Sequence, residues 1–265
     1  MSTAKLSAKA TNQSVRNWNK WLAAVFALQG VVILVLSDSR MLPVATGYIG
    51  ADTLQSQAQG HTVLATSSQH LFDVNLTFIV AAFLFMAAIA HGLAASTGFH
   101  KKYENDLKSG ANKVRWIEYA FSASTMAVAV GLVVGVQDIA LLLTLFGVTA
   151  LASLYGLVID MRGMSAGRLH WPDRLAAGIA ALVPWAVIAA YLLGGCVYGA
   201  VPGYAWWIAG TMFVSSAGFA VNFYLQHCKR GKWTNYLYGE RVFMILSLVA
   251  KTALAWQIFA GSLHP

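Results

Sequence analysis

The sequence predicts an all-α integral membrane protein with seven transmembrane helices in a rhodopsin-like bundle. Hydrophobic residues make up 58% of the 265-residue chain and charged residues only 11%, which is too apolar for an ordinary water-soluble domain. The hydropathy pattern divides into seven stretches, each long enough to cross a bilayer as a helix. The predicted helices span residues 18–37, 74–98, 115–136, 138–160, 174–196, 203–228 and 240–261.

Flanking residues set the boundaries of these helices. The first helix follows a polar tail and has no small-residue cleavage pattern after it, so we expect it to be retained rather than removed as a signal peptide. Only Val136-Gln137-Asp138 separates the third helix from the fourth. A tight hairpin is expected there, because one fused helix would be twice as long as a bilayer requires. Residues 1–265 are predicted to form a single domain.

One long connection, residues 38–73, joins the first two helices and is rich in Gln, Ser, Thr, Gly and His. The alternating stretch His61-Thr-Val-Leu-Ala-Thr66 predicts a possible β-hairpin. A connection of this length is usually functional or interacting, and a simple surface cap is the alternative.

The basic residues predict the orientation of the bundle. Sixteen of the eighteen Lys and Arg residues fall in the tail and in three connections that share one side of the membrane, whereas Arg40 lies opposite and Lys251 lies within the last helix. The positive-inside rule then places the N-terminus in the cytoplasm, the C-terminus outside and the 38–73 loop on the outer face of the plasma membrane. The expected contacts of the basic flanks are anionic lipids. We expect no nucleic-acid partner, because the basic residues are spread over four short segments.

Lys251 is the most informative residue, because it is a lone charge in an apolar segment. A lysine at the bilayer centre costs roughly 2.5–3.5 kcal/mol, and Lys251 lies ten residues after Arg241, about 15 Å along the helix axis, which is hard for snorkelling to relieve. Glu118, a turn into the third helix, is the only candidate counter-charge, because the other acidic residues fall at or near helix ends and in loops. Both side chains are expected to meet in the cytoplasmic half of the bundle.

Three further polar residues are predicted to lie near this pair. Ser122 and Ser247 are each four residues from one of the two charges and therefore share its helix face, and His91 in the second helix lies at a similar depth. Each has a simpler interpretation: the serines could bond to helix carbonyls and His91 could be a packing residue. Glu118 could likewise pair with Arg115 at the membrane surface. No spacing typical of metal ligands occurs, so we expect no metal site.

A lysine in the middle of the seventh helix with one carboxylate on the third resembles a retinal protein, and the flanking sequence resembles the heliorhodopsin family. The segments that carry the resemblance are Arg115-Trp-Ile-Glu-Tyr119, Leu145-Phe-Gly-Val148, Val183-Pro-Trp185, Gly231-Lys-Trp-Thr-Asn-Tyr-Leu237, Gly239-Glu-Arg241 and Leu246-Ser-Leu-Val-Ala-Lys-Thr-Ala-Leu-Ala-Trp-Gln-Ile-Phe259. The orientation with the N-terminus inside and the long first connection agree with the same family.

The resemblance implies a photoreceptor rather than an enzyme. It implies all-trans retinal bound to Lys251 as a protonated Schiff base, with Glu118 as the counterion and isomerisation to 13-cis after photon absorption. It also implies a homodimer, and the signalling partner is unknown. Pocket walls are expected from position, and each of these residues could equally be ordinary helix packing: Tyr119, Met126, Gly147, Phe219 and Phe223.

Two departures bear on proton movement. Ser247 and Ala129 stand where proton-pumping rhodopsins usually carry carboxylates, which favours a light sensor with a slow photocycle over the alternative, a light-driven proton transporter. Ala27 and Ala87 stand where heliorhodopsins often have a histidine and a serine. His91 is therefore the remaining candidate proton acceptor beside Glu118, and Gln29 is a partial substitute for the missing polar groups. The third possible function, after the light sensor and the proton transporter, is a seven-helix binding or scaffold protein without a chromophore.

Overall fold

Seven helices long and apolar enough to cross a membrane dominate the part of the chain that the structure describes. The computed structural model describes residues 3–37, 41–166, 171–199 and 201–263. The seven helices are α1 (Thr3–Val35), α3 (Leu76–Ala95), α5 (Lys113–Val133), α6 (Ile139–Ala166), α7 (Trp171–Tyr198), α8 (Gly203–His227) and α9 (Tyr236–Leu263). The predicted set of seven helices is therefore confirmed. Two short helices, α2 (Thr53–Gln59) and α4 (His100–Lys108), and a 3-10 turn (Gly231–Thr234) complete the helical elements described.

Four helices are longer than predicted, among them α7, which begins at Trp171 and ends at Tyr198. Helix α1 begins at Thr3, so most of the polar tail continues the membrane helix as a helical extension. Helix α6 continues to Ala166 and α9 begins at Tyr236. The longer α6 and α9 place two acidic residues inside helices rather than at their ends.

The connection between α1 and α3 contains a β-hairpin much larger than the short stretch predicted around His61. Strand β1 (Met41–Ala51) pairs antiparallel with β2 (Leu64–Asn75), and the register shifts between Val44 and Ala45. Helix α2 lies between the strands, with its N-terminus capped by the Asp52 side chain. Residues 38–40, at the start of the predicted loop, lie outside the described part of the chain.

The hairpin rests on the turn between α5 and α6. The amide of Ala45 donates to the carbonyl of Gln137, and the amide of Gly47 donates to Asp138 Oδ2, each at 2.9 Å. Hydrogen bonds from the amides of Gly47 and Leu141 lower the pKa of Asp138. Gly135 has a φ of 100°, a left-handed conformation that favours glycine. These residues form the tight turn predicted between the third and fourth helices, which is confirmed.

Helix α5 lies at the centre of the bundle. Within its most apolar stretch 61% of α5 is buried, whereas only 17% of the corresponding stretch of α7 is buried, so α7 presents most of its surface outward. The main core is formed by side chains that α1, α3, α8 and α9 contribute beside those of α5, and it includes Phe26, Phe83, Ile208 and Leu254. A residue on the inner face of α5 is therefore enclosed on several sides.

Candidate functional site

Lys251 lies in the core with a carboxylate and a hydroxyl beside its amine. The residue is 2% exposed. Its Nζ lies 3.2 Å from Glu118 Oε1 on α5 and donates to Ser247 Oγ at 2.7 Å, one helical turn earlier on α9. The structure thus brings together the two charges and one of the two serines that the sequence singled out. Removal of either charge would leave the other buried and unpaired, which costs several kcal/mol, about 3–5.

Ser122 and Ser247 differ from neighbouring hydroxyl residues in their hydrogen bonds. Ser124 and Thr125 donate to the carbonyls of Ala120 and Phe121, as buried helix hydroxyls often do. Ser247 instead accepts a hydrogen bond from the Lys251 amine. Ser122 is fully buried one turn after Glu118, and in the described part of the chain its Oγ has no hydrogen-bond partner.

Aromatic rings border the amine on two sides. The Nζ of Lys251 lies 5.0 Å from the ring centroid of Tyr119 and 5.9 Å from that of Phe26. The Tyr119 hydroxyl donates to the carbonyl of Phe243 at 3.3 Å, and its ring packs edge-on against Phe219 at 5.4 Å. Such rings stabilise a cation weakly and exclude water from it.

The described contacts of the other predicted wall residues are with groups other than the Lys251 amine. Phe223 packs against Trp116 at 5.3 Å and His227 at 4.2 Å between ring centroids. Met126 is buried in the main core. Gly147 lies on α6 where an added Cβ would meet no atom within 4 Å, so there is open space beside it. Their roles as pocket walls stay predictions.

His91 faces the same region from α3. Its Nδ1 lies 2.7 Å from Asn19 Oδ1 on α1, and its ring stacks on Phe26 with centroids 5.7 Å apart. His91, Asn19, Glu118 and Ser247 all line one polar cavity of about 30 Å³. A cavity of this size is large enough for a water molecule. His91 therefore belongs to a polar cavity that reaches Glu118, and its role as a proton acceptor stays a prediction.

Two positions where the family often has polar residues carry alanine and lie in or against the apolar core. Ala87 is fully buried, and Ala27 packs against the main core. Gln29 accepts a hydrogen bond from Trp256 Nε1 at 3.3 Å, so its amide is engaged on α9 rather than in the cavity that His91 lines.

A second buried charge cluster, around Arg115, was missed from the sequence. Arg115 was expected in the basic flank or paired with Glu118, but it is 7% exposed and bonds Glu240 through Nη1 and Asp160 through Nη2, the latter at 2.9 Å. Trp116 Nε1 also donates to Asp160, at 2.6 Å, and His227 Nε2 lies 3.2 Å from its second oxygen. Asp160 and Glu240 are each 2% exposed.

The expectation that Glu118 is the only carboxylate within the bundle is therefore wrong. Asp160 and Glu240 were assigned to helix ends because α6 and α9 were predicted to be too short. The signal for Asp160 was present, since it directly follows an apolar stretch that ends with Ile159. Because both carboxylates are bonded to Arg115, Glu118 remains the counter-charge to Lys251.

Helix α4 contributes Tyr103 to the lining of the polar cavity. Tyr103 on α4 is 2% exposed and lines the cavity, and Asn112 Nδ2 donates to Glu240 Oε2 at 2.7 Å. Burial raises the pKa of Tyr103, so its hydroxyl stays neutral. The cavity therefore connects the surroundings of Lys251 with the Arg115 cluster.

Seven apolar helices around a buried lysine–carboxylate pair are the features of the retinal-binding rhodopsins. Within that class the chain belongs to the heliorhodopsin family, because the family model described as Heliorhodopsin matches residues 15–263. The predicted family is confirmed. No curated protein sequence matches the chain. The chain is accordingly a retinal-binding rhodopsin and a multi-pass integral membrane protein.

Proposed function

We propose that this heliorhodopsin is a light-sensing photoreceptor, not an enzyme, that binds all-trans retinal covalently through Lys251. The observation that carries the proposal is the buried ion pair between Lys251 Nζ and Glu118 Oε1, at 3.2 Å. A buried amine beside a single carboxylate suits an attachment nitrogen that must keep a positive charge away from water.

The described residues fit such a group. Lys251 supplies the attachment nitrogen, Glu118 the counter-charge, and Tyr119, Met126 and Phe219 apolar surface. The orphaned hydroxyl of Ser122, one turn from Glu118, leaves a polar atom that a bound group can approach. When bound, retinal supplies an absorbing chromophore that changes from all-trans to 13-cis with light.

The protein residues then hold and move the proton of the Lys251 nitrogen. Glu118 stabilises the positive charge in the dark, and Ser247 accepts the hydrogen bond from the same nitrogen. A weakening of the contact with Glu118 would free the proton to leave toward the polar cavity. His91 and Glu118 are the proposed acceptors there, because both line that cavity.

A sensor without ion pumping is favoured by the residues around this path. Ser247 carries no titratable carboxyl group, and Ala129 is fully buried among apolar side chains. Asp160 and Glu240 are bonded to Arg115, which restricts them as proton carriers. Light-driven proton transport is the second candidate, and the cavity that extends from Ser247 to Tyr103 favours it.

The proposed setting is the plasma membrane, with the N-terminus in the cytoplasm and the C-terminus outside. The distribution of basic residues supports this orientation, which would put the β1–β2 hairpin on the outer face. We further propose a homodimer that contacts anionic lipids, binds no nucleic acid and passes the light signal to an unknown partner.

Absorption spectroscopy tests the proposal. The chain expressed with all-trans retinal should show a visible band that Lys251→Ala abolishes, whereas Lys113→Ala, at a partly exposed lysine outside the site, should keep it. A parent without a band, or an unchanged band in Lys251→Ala, would contradict retinal attachment and favour the scaffold class.

Recording of pH in illuminated cells separates the sensor from the transporter. The sensor predicts no sustained pH change. A sustained change that a protonophore abolishes would establish transport instead.

A further inference from the structure

Asn19 joins α1 to His91 through a side chain whose orientation is determined by its surroundings. Asn19 is 1% exposed. Its Nδ2 donates to the carbonyl of Val15 at 3.0 Å, and its Oδ1 lies 2.7 Å from His91 Nδ1. Both polar groups of this buried amide therefore have a partner, and the Tyr103 side chain is a further hydrogen-bond partner of Asn19.

The carbonyl of Val15 can only accept a hydrogen bond, so the NH₂ group of Asn19 must face it. Rotation of the amide by 180° would instead set two oxygens against each other in a buried site. The Oδ1 atom consequently faces His91, and a carbonyl oxygen also can only accept. The proton between the two side chains must therefore belong to His91 Nδ1.

This proton determines the chemistry of the opposite ring nitrogen. A neutral imidazole carries one N–H, so a proton on Nδ1 leaves Nε2 with a free lone pair. The ring plane is held as well, because His91 stacks on Phe26 with an interplanar angle of 16°. Phe26 is fully buried and lies 5.9 Å from Lys251 Nζ.

We propose that Asn19 is a positioning residue that holds neutral His91 as the Nδ1–H tautomer and thereby makes Nε2 the nitrogen that accepts a proton. The functional part rests on the proposed light-driven chemistry, whereas the tautomer is a property of the chain alone. In the proton transfer, Nε2 gains an N–H bond as the Lys251 nitrogen loses one, and the positive charge moves with the proton.

The same hydrogen bond serves both charge states of His91. The imidazolium formed at Nε2 keeps its Nδ1–H, which still donates to Asn19 Oδ1, and charge-assisted bonds of this kind are stronger than neutral ones. Asn19 therefore favours proton uptake without itself titrating. Ala87 and Ala27 supply no competing polar group, so His91 is the histidine that would accept the proton beside Glu118.

Nitrogen-15 NMR of the full chain labelled at histidine tests the tautomer without retinal. His91→Gln identifies the His91 signals by their loss. We expect a protonated Nδ1 and an unprotonated Nε2 in the parent, and loss of the single tautomer in Asn19→Leu. Asn17→Leu, at an exposed asparagine on the same helix, is the matched control and should leave the pattern unchanged.

An Nε2–H tautomer in the parent overturns the proposal, and that measurement does not depend on whether Asn19→Leu folds. An unchanged tautomer in folded Asn19→Leu overturns the role of Asn19.

Light-minus-dark spectra of the retinal-loaded chain test the functional part separately. We expect a His91 imidazolium signal that falls in Asn19→Leu and persists in Asn17→Leu. Absence of that signal in a loaded parent with the expected tautomer overturns His91 as acceptor. Absence of retinal binding would overturn the proposed function and leave the tautomer result standing.

Discussion

Replacement of Arg115 by leucine should destabilise the protein more than any surface substitution of the same type. The guanidinium is 7% exposed and is the bonded partner of both Asp160 and Glu240, so its removal leaves two carboxylates buried side by side. Loss of one partner from a buried ion pair costs about 3–5 kcal/mol. The Arg115 guanidinium also lies 3.9 Å from the ring centroid of Phe243, a contact worth about 0.5–2 kcal/mol.

Denaturant unfolding in detergent micelles measures this effect, with Arg241→Leu as the control. Arg241 is exposed and adjacent to Glu240, so its replacement should change the free energy of unfolding by no more than about 0.5 kcal/mol. Glu240→Gln combined with Arg115→Leu should cost less than the sum of the two single changes, because the residues are bonded partners. A loss below about 1 kcal/mol for Arg115→Leu would refute the buried network, since that is the range of an exposed pair.

Two further predictions concern Glu118 and Asp138. Glu118→Gln should move the visible band to longer wavelength, because a neutral amide stabilises the positive charge at the Lys251 nitrogen less in the ground state; absorption spectra measure the shift. Because hydrogen bonds to its charged form lower the pKa of Asp138, the contact with Gly47 should be fully present above the ordinary aspartate pKa and weaken as pH falls through the lowered value. Hydrogen-exchange protection of the Gly47 amide against pH measures this, and Asp138→Asn should flatten the dependence.

The predictions for Glu118 and Asp138 each have a result that would contradict them. Glu104→Gln, on the short helix α4, should leave the band in place, and an unmoved band in Glu118→Gln would mean that another anion is the counterion. Protection of Gly47 that does not change with pH in the parent would show that the Asp138 carboxylate does not hold the hairpin.

Much of the fold was predictable because membrane helices are encoded locally. Each span needs a continuous apolar stretch of sufficient length, and the backbone must satisfy its own hydrogen bonds within that stretch. Helical spacing likewise predicted that Ser247 would reach Lys251, and the structure has that bond at 2.7 Å. The extent of the hairpin was not predictable in this way, because the β1–β2 pairing and its contact with Asp138 join residues far apart in the chain.

By itself the sequence determined that a charge at Lys251 lies in the membrane and that a retinal-binding rhodopsin of the heliorhodopsin family is encoded, since both follow from residue types along the chain. Only the tertiary structure decided which carboxylate pairs with which cationic side chain. Arg115 lies three residues before Glu118, yet its partners are 45 and 125 residues away. The rotation of α5 about its own axis directs Arg115 toward α6 and α9, so Glu118 is the carboxylate that pairs with Lys251. That rotation is set by packing between helices rather than by residue spacing within one helix.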